Sequence, residues 1–412
     1  MVAECHDTGV SKGAECDLDS ATLDLSGGRW SVSGTVQMPS GYSNYNIRGG
    51  TLAALVGSFP AGATLLQIGN ESSVKGTSGN NVAVERVTLD GGQVVGTALA
   101  ALNLQNVNLG PGLMVYGFNE YGIKMDGTGA GYVHHSWLGE MPPYASAFGG
   151  SGTEEGAAHI EADQNLTATC ISMENTQHDC YVEDVIIWSG LVGIRSQNGA
   201  NQIQGVHTWN LMTTDGGIGI LLEGGMGKVI DSYLDFTPLV IVDPKSVIVS
   251  NNLFLARGNL VLRSSDGAGL VQGLLVTSNR WWSENSYVND TIVLDGNFTS
   301  VVGSTIEGNI ADRKWNVKST RATLTEQVLE GAFRVLIDFS KDLLFPEVPI
   351  QEAHCTLVSD IPVAHAIRPF RTGGTYDSGA ELLTLDVVFA VPISGANVTC
   401  TVDQNSRQHA GH

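Results

Sequence analysis

The sequence predicts an all-β fold: a right-handed parallel β-helix with an N-terminal cap and a small C-terminal β-sandwich. Three observations carry that prediction. Glycine is enriched, at 51 of 412 residues, against about 7% in an average protein. Charged residues make up only 15% of the chain, while Val, Ile, Leu and Thr recur in short runs bounded by turn residues. The third observation is that one such run repeats. Beneath "VEDVIIW" (182–188) align "IQGVHTW" (203–209), "VIDSYLD" (229–235), "IVSNNLF" (248–254) and "VTSNRWW" (276–282), at offsets of 21, 26, 19 and 28. A second strand follows each of the first four: "GLVGIRSQ", "GGIGILLE", "PLVIVD" and "NLVLRS". Repeats of about 20–30 residues that each yield short strands indicate a parallel solenoid. The pattern of leucine-rich repeats is absent, and the irregular offsets suit coils whose turns differ in length. A β-sandwich with chance alignments is the competing reading.

The elements follow in chain order. Residues 1–60 are expected to cap the open end of the solenoid, with a Cys5–Cys16 loop. Residues 61–317 are expected to form the coils, with "VERVTLD" (84–90) and "YGIKMDG" (121–127) as earlier copies. From 318 to 412 the period stops. "FRVLIDFSKDLLFP", "AHCTLVSD", "HAIRPFR", "ELLTLDVVFAVPIS" and "ANVTCTVDQ" read as antiparallel strands, two of them joined by Cys355 and Cys400, and "TLTEQVLEGAF" (323–333) reads as a linking helix.

Side chains alternate between the faces of a strand. Val185, Ile187, Val206, Thr208, Ser232, Leu234, Asn251, Leu253, Asn279 and Trp281 are expected inside, with Asn251 and Asn279 stacked as a polar ladder. Ile186, Trp188, His207, Trp209, Tyr233, Asp235, Asn252, Phe254, Arg280 and Trp282 are expected outside. A row of exposed aromatics calls for a cover, which a sugar chain, a second subunit or a long turn would supply. The second strand aligns Asp126, Gln197, Glu223 and Asp243, with Lys124 and Arg195 two places earlier.

The net charge of −21 and pI near 4.7 argue against a nucleic-acid partner, which needs clustered cations. An acidic working pH is expected, because a polyanionic substrate would otherwise be repelled. The six cysteines fall into three separated pairs, and Cys5–Cys16, Cys170–Cys180 and Cys355–Cys400 is the simplest of fifteen connectivities. Sequons stand at Asn70, Asn165, Asn289, Asn297 and Asn397. Together these favour a secreted, extracellular glycoprotein. No apolar run reaches the roughly 20 residues of a membrane span. No metal-ligand spacing is present, and no cofactor is implied.

An aromatic face carrying carboxylates suggests chemistry on carbohydrate. Glycoside transfer needs two carboxyl groups across the scissile bond, one an acid with a raised pKa. Asp235, Asp215 and Glu223 are the candidates: Asp215 in the turn after the His207 strand, Glu223 ending the following strand, and Asp235 one coil further. Trp188, Trp209, Tyr233 and His207 are candidate sugar contacts, and Arg195, Arg280 and Asp243 candidate polar ones, the arginines suiting a uronate carboxylate. Each has a plain structural reading. Asp215 before two glycines is a common turn residue, Glu223 and Asp243 suit a solvated turn edge, and His207 suits a hydrogen-bonded structural histidine. His134 and His135 are weaker candidates, and Glu174, Asp179, Glu183 and Asp184 lie near the Cys170–Cys180 loop.

"GGRWSVSGTVQMPSGYSNYNIRGGTLAALVGSFP" (27–60), "GVHTWNLMTTDGGIGILLEGG" (205–225), "DSYLDFTPLVIVDP" (231–244) and "DFSKDLLFPEV" (338–348) resemble the plant QUARTET-type polygalacturonases of the pectate-lyase superfamily. The resemblance extends over nearly the whole chain. It implies a right-handed β-helix and hydrolysis of cell-wall galacturonan (pectin). The Asn-Thr-Asp, Asp-Asp, Gly-His-Gly and Arg-Ile-Lys motifs of ordinary polygalacturonases are absent, so their catalytic residues are not carried over. Asp235 in "YLDFT" and Asp243 in "VDP" match the QUARTET-type pattern. The sequence more distantly resembles the inulin fructotransferases, which implies transfer to a difructose anhydride and a homotrimer. A polysaccharide lyase and a non-catalytic glycan-binding β-helix complete the readings.

Overall fold

The computed structural model describes residues 16–38, 40–141, 166–176, 179–209, 217–224, 226–256, 258–265, 269–282, 289–313, 315–359, 383–393 and 395–405. Every regular element among them is a strand. Twenty-six strands join into one continuous sheet wound as a right-handed parallel β-helix. Parallel pairing begins with Cys16–Asp24, which pairs with Tyr42–Ala54.

One coil shows how the sequence makes the shape. Val192–Gln197 runs along a first face, Asn201–Gln204 along a second and His207–Trp209 along a third. The next coil repeats them as Ile218–Glu223, Gly227–Ile230 and Tyr233–Asp235. We call these the charged, amide and aromatic faces after their outward side chains. The corner between the amide and aromatic faces recurs in the left-handed backbone region at Asp184, Gly205, Asp231, Asn251, Ser278 and Gly308 (φ +49° to +67°). Glycine and short polar residues tolerate that conformation best, which is why they hold the corner.

Inside, side chains stack in rows. Val182, Ile203, Val229, Val249, Val276 and Ile306 form one fully buried row. Each such side chain stabilises the fold by about 1.5–3 kcal/mol through burial. On the aromatic side the inward row includes Phe254 stacked on Trp281, ring centres 4.7 Å apart and planes at 4°.

The inner polar ladder is present but starts one residue later than expected. Asn252, not Asn251, is buried, and it donates through Nδ2 to the Oδ1 of Asn279 at 2.9 Å. Asn279 donates in turn to Asn309 at 3.0 Å. The expected offset of 19 is in fact 20, since Tyr233 pairs with Leu253, and 28 is 27, since Leu253 pairs with Arg280. A one-residue slip exchanges inside and outside. Asn251 therefore takes the corner, Asn252 and Phe254 point in, and Leu253 and Leu255 point out.

The C-terminal strands pack as a small sandwich. Arg321–Gln327, Ala396–Asp403 and Glu352–Ser359 form one antiparallel sheet, and Ala332–Asp338 with Thr384–Ile393 forms another. Ile337, Phe339, Leu385, Val398 and Cys400 lie in a core separate from that of the β-helix. The helix expected at 323–333 is absent: its residues belong to the strands Arg321–Gln327 and Ala332–Asp338 and the turn between them. The polar-apolar alternation of Thr323, Leu324 and Thr325 suits a strand, and Leu324 packs on the sandwich core while both threonines pair with threonines of the neighbouring strand.

Cys355 and Cys400 sit opposite each other in paired strands and form a disulfide. The expected Cys170–Cys180 bond does not form, and both are free, buried thiols. Cys170 donates to the Ser189 carbonyl at 2.9 Å, at the far end of the strand Cys180–Ser189 that Cys180 begins. The length of that strand keeps the sulfurs apart. Burial pushes the Cys170 thiol well up and that of Cys180 to about 11. Cys5 lies outside the described residues.

Candidate functional site

The aromatic face is built by strict register. Ile186, His207, Tyr233, Leu253 and Arg280 stack in one outward row. Trp209, Asp235, Leu255 and Trp282 stack in the next, continued by Trp188 beside Trp209. Trp188 and Trp209 meet edge to face at 4.0 Å, and His207 stacks on Tyr233 at 4.4 Å. Trp282 is 50% exposed. Neighbouring coils are about 4.8 Å apart, so these side chains follow one another along the helix axis at about that interval.

On its own strand and the two strands paired with it on this face, Asp235 is the one carboxylate. Its Oδ2 accepts a long hydrogen bond of 3.5 Å from the Tyr233 hydroxyl. Its Oδ1 is buried and has no partner among the described residues. Burial pushes its pKa up to about 6, opposed by the Tyr233 bond. Two other buried polar atoms beside it are also unpartnered among the described residues, Nε2 of His207 and Nε1 of Trp209. Burial lowers the pKa of His207, favouring the neutral ring. One acceptor, one donor and an imidazole nitrogen thus lie on adjacent coils without partners among the described residues. Buried polar groups are normally satisfied, which marks this cluster as the candidate site.

The remaining candidates are dispersed. Asp215 lies outside the described residues. Glu223 ends its strand on the charged face, where Arg195 donates to it at 2.7 Å. Asp235 ends a strand on a different face, and the two carboxyls are not brought together. Arg195 is committed to this ion pair, while Arg280 is exposed on the aromatic face. Asp243 does not join the outward column, because Val242 pairs with Glu223. Asp243 takes the next, left-handed turn position (φ +47°) and accepts from the Ser265 amide at 3.0 Å and from its hydroxyl. The column itself reads Asp126, Glu174, Gln197, Glu223, Val242, Arg263 and Asp295. Lys124 lies between Asp126 (3.7 Å) and Glu174 (3.6 Å), so that face is largely self-neutralised. His134 and His135 hydrogen-bond each other at 2.9 Å on the amide side.

Sequence reasoning passes over Glu140, a buried carboxylate that accepts from the amides of Thr167 and Ala168 at 3.0 Å each. These bonds are to its own chain, which makes it a structural anchor. It also passes over Tyr132, whose hydroxyl donates to Glu183. The alternation of Tyr132 and His134 with buried Gly131 and Val133 is the available signal.

The fold and this face define a class: a right-handed parallel β-helix with an outward aromatic face that carries a carboxylate. No family model matches the chain. The chain is homologous to "Polygalacturonase QRT3" of Arabidopsis thaliana, 27% identical over 362 residues, which are 85% of this chain and 70% of the relative. Among solved structures, the A-module of a mannuronan C-5 epimerase from Azotobacter vinelandii overlaps 73% of this chain and 89% of its own (TM-score 0.40, 13% identity). A tailspike protein of E. coli bacteriophage HK620 in complex with a hexasaccharide overlaps 93% of this chain and 86% of its own (TM-score 0.35, 12% identity).

Proposed function

We propose that this protein is a secreted glycoside hydrolase that cleaves plant cell-wall galacturonan on its aromatic face, with Asp235 as the proton donor. The observation that carries the reading is the Asp235 carboxyl: half-buried beside Trp209 and Tyr233, raised to about 6, with one oxygen unpartnered among the described residues. A carboxyl with such a pKa is protonated at mildly acidic pH, as a general acid must be to donate to a leaving glycosidic oxygen. Homology to a polygalacturonase supports a polysaccharide substrate. Trp188, Trp209 and Tyr233 would carry sugar faces, His207 would bind a hydroxyl, and the exposed Arg280 would meet a uronate carboxylate. The second carboxylate is assigned to Asp215, which follows Trp209 closely in the chain, rather than to the ion-paired Glu223.

Secretion is supported by the Cys355–Cys400 disulfide and by exposed sequon asparagines at Asn70, Asn297 and Asn397. A homotrimer is the proposed assembly, with Ile186 (45% exposed), Trp282 and Ile310 (59%) on the aromatic side available to a subunit contact.

Product analysis tests the reading. Polygalacturonate, rhamnogalacturonan, inulin and levan are digested near pH 5 and read by mass spectrometry. Oligogalacturonides with new reducing ends are expected. Unsaturated products would show a lyase, difructose anhydride would show fructosyl transfer, and either would overturn hydrolysis. A non-catalytic glycan-binding reading is favoured by one observation, that neither strand paired with that of Asp235 on this face, His207–Trp209 or Leu253–Leu255, carries a second carboxylate. It predicts binding with no product.

A further inference from the structure

The amide face carries a second groove that the cleavage site does not use. It has a volume of about 900 Å³, within the roughly 300–1,000 Å³ of small-molecule sites. Ala83, Asn108, Tyr132, Tyr181 and Gln202 follow one another in register along it, one per coil. Five coils at about 4.8 Å give a trough roughly 19 Å long. Two small outward side chains open it: Ala83 and Ala130 line it where the paired positions on the neighbouring coil carry Asn108 and Asn106.

The lining states what the groove would accept. The lining is largely apolar, with amide side chains at both ends: Asn81, Asn106 and Asn108 at one and Gln202 and Gln204 at the other. They are pre-ordered. Asn106 donates to Asn81 at 3.3 Å, Gln202 donates to Gln204 at 2.9 Å, and the Nε2 edge of His134 meets the Oδ1 of Asn108 at 3.0 Å. Each amide both donates and accepts, and these bonds leave further donor and acceptor positions open. Sugar hydroxyls, which also do both, are the matching chemistry. Tyr181, 41% exposed, offers an aromatic ring next to the central Tyr132, which is held by its stack on His134, 4.2 Å between ring centres. No lysine or arginine is among the described lining residues, whereas Asp179 and Glu183 are. An anionic ligand such as a uronate or a nucleic acid is therefore disfavoured. A strand-adding peptide is excluded as well, because the strands beneath the groove are already paired on both sides.

We propose that the amide-face groove is a second carbohydrate site that binds a neutral oligosaccharide, separate from the aromatic face. It goes beyond the cleavage reading and does not rest on it. The outcome would be a protein that holds an uncharged glycan on one side and acts on an acidic one on another.

Isothermal titration of the full chain with cellotetraose, galactotetraose and arabinotetraose tests this, with tetragalacturonate as the charged counterpart. At least one neutral tetrasaccharide is expected to bind saturably. Tyr181→Ala, which removes an exposed ring, and Gln202→Ala are each expected to weaken that binding roughly tenfold, with tetragalacturonate binding and cleavage of polygalacturonate unchanged. Failure of all three neutral sugars to bind at millimolar concentration overturns the proposal. So does neutral binding that neither substitution alters, or a change of mass in light scattering on substitution, which would make the groove an interface between copies. Neutral binding by a wild-type protein that leaves polygalacturonate uncut would remove the hydrolase reading and leave this one standing.

Discussion

Replacing Asp235 by asparagine should stabilise the protein at neutral pH and leave it unchanged in acid. The carboxyl is half-buried, and burial raises its pKa from the ordinary 3.8 to about 6. Below about pH 4 the folded and unfolded states both hold the proton, so substitution by a neutral isostere changes little. Between about pH 4 and 6 the unfolded chain ionises while the folded one does not, and wild-type stability falls as pH rises. Above about pH 6 the folded protein carries the full cost of a partly desolvated charge. At about 1.4 kcal/mol per tenfold, the ceiling is about 3 kcal/mol. Because the site is partly open to water, about 1–2 kcal/mol is the working expectation. Thermal melts of both proteins at about pH 4, 5, 6, 7 and 8 read it directly. The advantage of the Asp235→Asn variant in Tm should be near zero at about pH 4 and level off above about pH 7 at a few degrees. An advantage that is constant across the series, or that grows in acid, would refute the reasoning.

Four further outcomes follow from the same geometry. Trp209→Ala removes a platform ring and its edge-to-face contact with Trp188, so KM for polygalacturonate should rise roughly tenfold with little change in kcat; steady-state kinetics check it. Arg195→Ala breaks a partly exposed ion pair on the charged face, and should cost about 1 kcal/mol by thermal melt and leave cleavage unchanged. Asn279→Ala severs bonds to Asn252, Asn309 and the Val249 carbonyl, and should destabilise the β-helix by roughly 2–4 kcal/mol in denaturant melts. Peptide mapping without reductant should find Cys355 linked to Cys400, with Cys170 and Cys180 alkylated only after denaturation.

The β-helix is legible because its inner rows obey period-two alternation and recur by coil. Val182, Ile203 and Val229 align in the sequence as they stack in the fold. The register slips after Tyr233 for a specific reason. Asn251 and Asn252 are adjacent and chemically identical, and only the left-handed corner decides which turns outward. Asp184, Gly205 and Asp231 mark that corner in earlier coils, so aligning the corners rather than the apolar residues places Asn252 inside. The segment 323–333 reads as a helix because Val328 and Leu329, at the turn between two strands, lend it an apolar run of helical length. Tyr233, His207 and Trp209 fall on one face by alternation alone, and Asp235 follows from the same rule. Burial is what alternation does not reveal: it places the exposed Arg280 and the half-buried His207 outward alike. The pairing of Arg195 with Glu223 is equally hidden, since it depends on two strands coming into register so that Arg195 lies opposite Leu221 and reaches diagonally to Glu223. The amide groove escapes sequence reading because its residues come from five coils, and no single segment carries its pattern.

The central claim is that Asp235 delivers the proton for cleavage of an acidic polysaccharide. The most direct measurement is the rate of reducing-end release from polygalacturonate near pH 5 by wild-type protein and by Asp235→Asn, with folding of both confirmed by melting. The account predicts measurable release by wild type and a loss of roughly a hundredfold or more in kcat for the variant. Equal rates in the two proteins would contradict it.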